Sequence, residues 1–540
     1  MTRTQAAQLG TRERPYDLVV IGAGVNGAGI ARDAAGRGLS VLLCEKDDIA
    51  QHTSSSSTKL VHGGLRYLEY YDFALVRHAL GEREVLMRAA PHIIWPLRFI
   101  LPHHKDLRPR WLIRAGLFLY DNLGGRKLLP RSKGVDLTRH VAGEALKDDF
   151  SAGFEYSDCW VQDSRLVTLN VMDAADRGCT VRLRTECTDL VRNPGDRPND
   201  QAGWSVELLD KANGAADTVH ARAIVNASGP WVEQTLGLDE ENDSKNGVRL
   251  VKGSHIVVPK LFDHPFTYIF QNADNRIIFA VPYENDFTLL GTTDVEVHDE
   301  PGNSRITPEE IDYICSAASE YFNTPVTAKQ VSWTYSGVRP LYDDASDNAS
   351  KVTRDYKLDL DTRENAPILS VFGGKITTYR KLAEQAVDML KEPLGVQGRP
   401  WTSGVALPGG DIENADFQRF LNGCRDRYPW LEPKVLLDWA RNYGTRIDAM
   451  VGDATSMSDL GRHFGGPLYE AEVRYLMAHE YAQTAEDILW RRSRKGLHVP
   501  DGTESALQAW IDEHADLEAG RRDAVTAEGG GTETSVRRAS

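Results

Sequence analysis

No stretch of this 540-residue chain approaches the about 18 uninterrupted apolar residues that a membrane-crossing helix needs, so no spanning segment is expected. Cysteine is scarce. The six, at 44, 159, 179, 187, 315 and 424, show no C-x-x-C pair and no zinc spacing, which leaves no metal centre to expect and no disulfide framework. Such usage suits a reducing compartment. Positive charge is in deficit: 63 Lys and Arg against 78 Asp and Glu give a net charge of −15, which argues against bulk affinity for nucleic acid. The opening MTRTQAAQLGTRERP has charges but no apolar core, so a secretory signal is not expected either. These absences point to the cytosol, or to a membrane surface that the chain does not cross.

What is present is concentrated early. VVIGAGVNGAGIARDAAGRGLSVLLCEK, residues 19–46, reads as strand, glycine turn, helix and second strand. Gly22, Gly24 and Gly27 form G-x-G-x-x-G, and Glu45 follows at about the 20-residue distance of a dinucleotide site. Gly22 permits the tight turn, Gly24 lets backbone approach a pyrophosphate, and Gly27 lets helix and strand pack closely. The helix N-terminus offers free N–H groups to the phosphates. Glu45 can accept hydrogen bonds from a ribose diol.

The polar run QHTSSSSTKLVHGGLRYLEYYDF, 51–73, reads as a cofactor-contacting loop rather than a linker, because it follows the second strand directly. Residues 91–133 carry nine Lys/Arg against two acids. Within them RPRWLIRAGLFLYDNLGG predicts a helix ending at Gly124, with Trp111, Leu112, Leu117, Phe118 and Tyr120 on its apolar side. Two readings stay open: docking on an anionic lipid surface, or packing on the core with the arginines in water. WSVELL with the following NG turn predicts a hairpin, and ARAIVN a buried strand. VSWTYSGVRPLYDD (331–344) and SVFGGKITTYR (370–380) each read as strand then glycine turn, and 381–392 as helix.

At this length two or more domains are expected. The fold class is α/β: a Rossmann-type dinucleotide-binding domain, a β-rich cap and an all-helical C-terminal domain. Residues 1–14 read as a disordered leader. The binding core spans 15–400, with cap segments at roughly 91–150 and 250–345; the helical domain is 401–517 and a disordered tail 518–540.

With these segments in place the chain resembles the FAD-dependent glycerol-3-phosphate dehydrogenase family, in the glycine-oxidase-like branch of flavin oxidoreductases. The motifs that carry the likeness include TSSSSTKLVHGGLRYLEYYDF, GFEYSDCWVQDSRL, ARAIVNASGPWV, VKGSHIVVP, LLGTTD, WTYSGVRPL, TRDY and VFGGKITTYRKLAE. They run in family order, and LPGGDI and ILWRRSRKG extend the likeness into the C-terminal region. The resemblance implies FAD as cofactor and oxidation of sn-glycerol 3-phosphate to dihydroxyacetone phosphate. It also implies a membrane quinone as acceptor, a homodimer, and a peripheral location on the inner face of the cytoplasmic membrane.

By resemblance, Asn26, Thr53, Ser54, Ser55, Lys59, His62 and Gly63 join the glycine motif in holding FAD, and Gly229, Gly373, Gly374, Lys375 and Thr377 close over it. A dianionic phosphate needs several fixed cations, and arginine offers a planar fork. Arg66, Arg339 and Arg354 stand in apparent turn contexts, with Tyr67 and Lys375 near the same substrate. A histidine near its ordinary pKa of about 6.5 suits the proton transfer. His255 is the first choice and His62 the second, with Arg339 and Lys375 sharing the catalytic set. Alternatives are an oxidase using dioxygen, an amino-acid or amine oxidase on the same scaffold, and a flavin-bearing RNA-modifying protein, which the net charge opposes.

Overall fold

The computed structural model describes residues 8–105, 107–125, 128–193, 203–272, 274, 276–343 and 356–514. Two compact units divide the chain, the first ending at Phe420 and the second beginning at Leu421. The first opens with β1 (Tyr16–Ile21), α1 (Val25–Gly36) and β2 (Val41–Cys44), as the glycine motif predicts. Next come α2 (Phe73–Ala89), β3 (Ile94–His103), α3 (Arg110–Leu123) and β4 (Ala152–Val161). After them run α4 (Asp163–Asp176), β5 (Thr180–Arg182), β6 (Ala216–Asn226), β7 (Val248–Pro259) and β8 (Phe287–Gly291). Last are β9 (Trp333–Tyr342), β10 (Ile368–Phe372) and α5 (Tyr379–Met389).

β10, β6, β1, β2 and β5 lie side by side and parallel. Their near-continuous apolar runs, such as LVVI and VLLC, follow from burial on both faces. α1 packs against both α4 and α5. The expected hairpin forms where 203–210 pairs antiparallel with β6, turning at Gly214 with φ +74°.

A second, ten-stranded sheet contains β3, β4, β7, β8 and β9. β7 lies between β8 and β9, so His255 stands beside Gly291 on one side and Tyr335 on the other, and Val251 beside Arg339. An aromatic core including Phe262, Tyr268, Phe270, Tyr321 and Phe322 underlies this sheet.

Three expectations are corrected. SGVRPL is not a turn: β9 runs through it to Tyr342. Gly337 serves close approach instead, since a Cβ there would lie 2.8 Å from Ser56 Cβ. Residues 8–14 are ordered: the Gly10 N–H donates to Arg14 O at 2.8 Å, and Gly10 O accepts from the His220 N–H at 2.8 Å. Residues 1–7 and 518–540 lie outside the described residues. α3 forms where expected, but its apolar residues divide. Leu117 and Tyr120 are buried, while Trp111, Leu112, Phe118 and Leu119 are exposed.

The second unit is mainly helical. At its core Lys495 forms ion pairs with Asp438 at 2.8 Å and with Glu472, which also accepts hydrogen bonds from Trp439 and Tyr443.

Candidate active site and cofactor cavity

A cavity of about 260 Å³ opens at the C-terminal ends of β1 and β2, where parallel sheets of this kind bind nucleotides. Gly22, Gly24, Asn26, Glu45, Thr53 and Ser54 line it, with Gly229, Gly373 and Gly374 opposite. Glu45 is held for a task at its tip: Oε2 accepts the Ala23 N–H at 2.7 Å and Oε1 the Asp47 N–H at 3.0 Å. Each oxygen keeps a second lone pair for a diol. Burial pushes its carboxyl above the usual range, against those two backbone donors. Asn26 Nδ2 donates to Gly373 O at 3.1 Å, while the buried Oδ1 has no hydrogen-bond partner among the described residues. Trp231 closes one end, with the Lys46 ammonium 3.6 Å from its ring centroid and the His52 ring 4.6 Å away.

Gly27 does not line the cavity. A Cβ there would fall 1.8 Å from Gly22 O, so its part is to let α1 pack on the turn. Ser55, Lys59, His62, Gly63, Lys375 and Thr377 also lie off this lining. Among the described residues, Glu45, Asp47 and His52 could gather around a metal. His52 and Lys211 already satisfy the Asp47 carboxylate, at 2.8 and 2.7 Å.

The loop from Thr53 leads from the cavity to the second sheet. Thr53 Oγ1 donates to Val338 O at 2.6 Å, Tyr335 OH donates to Ser57 O at 2.8 Å, and Thr58 Oγ1 lies 3.0 Å from His255 Nε2. His255 is buried and stacks on Tyr335, centroids 4.8 Å apart. Its Nδ1 has no hydrogen-bond partner among the described residues. Burial first, then the charges of Lys59 and Arg339, hold its pKa down to about 3, so the imidazole is neutral. Arg339 Nη2 donates to Thr293 O at 2.9 Å and to Asp294 Oδ1 at 2.6 Å.

Lys59, expected at the cofactor, lies off the cavity lining and is paired with a carboxylate. Its ammonium contacts both Asp163 oxygens and Ser55 O. Further along the loop, the His62 N–H lies 3.4 Å from Thr377 Oγ1, and the His62 ring meets Phe279 edge-on at 6.5 Å. Arg66 and Tyr67 sit half-buried in a 3₁₀ turn, Leu65–Tyr70, and the Lys375 ammonium lies 4.2 Å from the Tyr67 ring centroid. The 53–67 loop thus touches both candidate clusters, Arg339 with His255 and Lys375 with Tyr67. Arg354 lies outside the described residues.

The sequence profile of FAD dependent oxidoreductases matches residues 17–380, and that of the C-terminal domain of alpha-glycerophosphate oxidase matches 401–518. The aerobic glycerol-3-phosphate dehydrogenase of Escherichia coli K12 is 47% identical over 92% of this chain and 97% of its own length. The chain belongs to the FAD-dependent glycerol-3-phosphate dehydrogenase family. A Brucella abortus relative, D-erythritol 1-phosphate dehydrogenase, is 51% identical over 92% of this chain and 97% of its own. The fold matches a Bacillus halodurans glycerol-3-phosphate dehydrogenase complexed with FAD, with a TM-score of 0.75 and 25% identity, covering 96% and 94% of the two chains.

FAD is therefore the cofactor of this dehydrogenase, and the cavity fits it. The glycine turn admits a pyrophosphate, Glu45 has lone pairs for a ribose, and the lone Asn26 Oδ1 awaits a donor. Sequence reasoning missed Thr58, Asp163, Trp231 and Tyr335. Of these only Trp231 carried a signal, standing two residues after Gly229 in the GPW turn.

Proposed function

We propose that this dehydrogenase oxidises sn-glycerol 3-phosphate at C2 to dihydroxyacetone phosphate and passes the electrons to a membrane quinone. The observation that carries this reading is Arg339 beside a buried neutral imidazole, His255, on paired strands that also touch the cofactor loop. Arg339, Arg66, Arg354 and Lys375 hold the phosphate dianion, with Tyr67 supporting Lys375. Phosphate on Arg339 cancels one of the charges that depress His255, so the imidazole gains basicity only with substrate in place. Nε2 is held by Thr58, which leaves Nδ1 to take the C2 hydroxyl proton. Lys375 steadies negative charge developing on that oxygen. FAD, when bound, supplies the two-electron acceptor for the hydride leaving C2.

Anaerobic titration with sn-glycerol 3-phosphate, followed by flavin absorbance, tests this. Bleaching is expected with that substrate and not with glycerol or an amino acid; an unchanged spectrum would overturn the assignment. The Brucella relative favours a second reading, a four-carbon polyol phosphate. Steady-state assays of D-erythritol 1-phosphate and sn-glycerol 3-phosphate with a dye as acceptor decide it, by which substrate gives the higher kcat/KM.

The outward face of α3 supports peripheral attachment to the inner face of the cytoplasmic membrane. Trp111 is 72% exposed and Phe118 60% exposed. Exposed Lys105, Arg108, Arg110, Arg114, Arg131 and Lys133 lie within or close to α3 in the sequence of a chain that is acidic overall, which suits an anionic lipid surface. No helix of the described residues is long and apolar enough to cross a membrane. Cosedimentation with anionic vesicles should be strong at low salt and weaken as salt rises. Trp111→Ser with Phe118→Ser should abolish it, and unchanged binding would remove α3 as the anchor. Quinone reduction set against oxygen consumption distinguishes dehydrogenase from oxidase. The homodimer implied by the family is tested by solution mass.

A further inference from the structure

The His255 imidazole is fixed on three sides, by Tyr335, the Gly291 backbone and Thr58. The ring stacks on Tyr335 with 4.8 Å between centroids and 17° between planes. On β8 its neighbour in register is Gly291, where a Cβ would lie 2.2 Å from His255 Cδ2. Thr58 Oγ1 lies 3.0 Å from Nε2. Nδ1, the other ring nitrogen, has no hydrogen-bond partner among the described residues.

Thr58 is itself gripped from both sides. Before it, the Ser57 N–H and Oγ donate to Asp163 Oδ2 at 3.2 and 2.8 Å, and Ser57 O accepts the Tyr335 hydroxyl at 2.8 Å. After it, the Lys59 N–H donates to Ser57 Oγ at 2.9 Å, while the Lys59 ammonium reaches Asp163 and Ser55 O. Lys59 holds φ at +61°, a conformation that residues with a side chain seldom adopt. Such backbone outliers collect at functional sites, where the surrounding bonds hold them in place. Here those bonds fix the residue that meets the imidazole.

The contact between Thr58 and Nε2 has two possible directions. If Thr58 donates, the ring proton sits on Nδ1, as a buried N–H without an acceptor. If Nε2–H donates to Thr58 Oγ1, that N–H is satisfied and Nδ1 keeps a lone pair. Orphaned buried N–H groups are rarer than orphaned lone pairs, which favours the second direction. It is also the direction that leaves Nδ1 able to accept a proton. As Nδ1 takes the proton of the C2 hydroxyl and the hydride leaves C2 for the bound FAD, the ring becomes an imidazolium. The bond from Nε2–H to Thr58 is then charge-assisted and stronger. An interaction that strengthens on the way to the transition state speeds the step rather than tightening binding. A neutral acceptor achieves this without charging the ring at rest, whereas a carboxylate in its place would favour the imidazolium before substrate arrives. The carboxylate that holds this loop, Asp163, is neutralised by Lys59.

We propose that Thr58 is a positioning residue that fixes the ring proton of His255 on Nε2 and so makes Nδ1 the base for substrate oxidation. The inference rests on the reading of His255 as the base and adds the group that selects its tautomer.

The test uses FAD-loaded enzyme, reduced anaerobically by sn-glycerol 3-phosphate in a stopped-flow instrument. The limiting rate of flavin bleaching reads the chemical step, and its dependence on concentration reads substrate binding. Thr58→Val keeps the shape and removes the acceptor. It should slow the limiting rate about five- to a hundredfold, the range for stranding one buried polar group, with substrate binding changed less than about twofold. Thr58→Ser keeps the oxygen and should restore most of the rate. Nitrogen-15 spectra of histidine-labelled holoenzyme provide a readout independent of activity. The His255 signal, identified by its loss in His255→Asn, should show the proton on Nε2 in the wild type at neutral pH.

A proton found on Nδ1, or a wild-type limiting rate in Thr58→Val, would overturn the proposal. So would Thr58→Ser as slow as Thr58→Val, because the oxygen would then not be the feature that matters. Should Thr58→Val lose FAD, the wild-type tautomer and the rate of Thr58→Ser decide the matter between them. If His255→Asn bleaches at the wild-type rate, the base reading fails and the role of Thr58 fails with it. A slow His255→Asn beside a fast Thr58→Val separates the two, keeping the base and removing its positioning residue.

Discussion

Lys59 and Asp163 form an ion pair that water does not reach: Nζ lies 2.9 Å from Oδ1 and 3.0 Å from Oδ2, with side chains 3% and 0% exposed. The pair sits beside the strands that carry His255 and Tyr335. The Lys59 ammonium is 5.0 Å from the Tyr335 ring centroid, and its charge reaches His255. Asp163 also accepts from Ser57 Oγ, and so holds the cofactor loop from its far side.

Removing one partner strands the other. Asp163→Asn should destabilise the protein by about 3–5 kcal/mol, the usual cost of leaving a buried charge unpaired. Urea denaturation of the FAD-loaded protein reads it. Lys59→Met combined with Asp163→Leu should recover much of that loss. A double variant no more stable than Asp163→Asn would show that the pair does more than neutralise itself.

How far the site was legible depends on the range of each contact. The glycine motif, Glu45 and the Gly373–Gly374 turn were readable because their geometry is local, a turn followed by a helix. The Lys59 ion pair was not legible because its partner lies 104 residues away, and nothing near Lys59 announces a buried carboxylate. SGVRPL reads as a turn because glycine and proline usually mark one. Here glycine instead makes room for Ser56, a neighbour that only the fold supplies. For α3 the sequence left two readings open, lipid face or core face. The structure assigns a core role to Leu117 and Tyr120 and leaves the other side exposed, so one helix carries residues of both kinds.

Acid should weaken the fold through His255. Its pKa in the folded protein is depressed to about 3, against about 6.5 when unfolded. Below pH 6.5 the unfolded chain takes up a proton that the folded chain refuses. Stability is thus fully present above pH 6.5 and falls as pH drops toward 3. Between pH 6.5 and 5 this one group should remove about 2 kcal/mol. Urea midpoints at pH 7 and pH 5 measure the loss, and His255→Asn should reduce it by that amount. An equal loss in the variant would place the acid sensitivity elsewhere, His264 being next, depressed to about 4.

Glu45 should matter for cofactor affinity more than for the fold. Its two oxygens order Ala23 and Asp47 while keeping lone pairs toward the cavity. Glu45→Ala releases those N–H groups and removes the acceptor for a ribose. Hydrogen bonds to a charged group contribute about 1.5–3 kcal/mol each, so FAD affinity should fall at least about tenfold. Flavin fluorescence on titration of the apoprotein measures it. Retention of wild-type affinity would mean that the ribose is held by other groups.

Arg339 tests the anion site most directly, because its position has two opposed consequences. It lies 2.6 Å from Asp294, so a phosphate must compete with a carboxylate already in place. The guanidinium can serve both, since it presents five donors on a planar fork and only Nη2 is used here by Asp294 and Thr293. Lysine keeps the charge but loses the fork. Arg339→Lys should therefore raise KM for sn-glycerol 3-phosphate by about tenfold or more, through loss of the second parallel hydrogen bond. Because Arg339 also depresses His255, loss of its close approach should shift the pH dependence of kcat/KM as well as its height. A steady-state pH series on Arg339→Lys separates the two effects. A higher KM with an unmoved pH profile would keep Arg339 as a phosphate ligand and remove its influence on the base. A normal KM would take Arg339 out of the anion site altogether, leaving Lys375 beside Tyr67 as its centre.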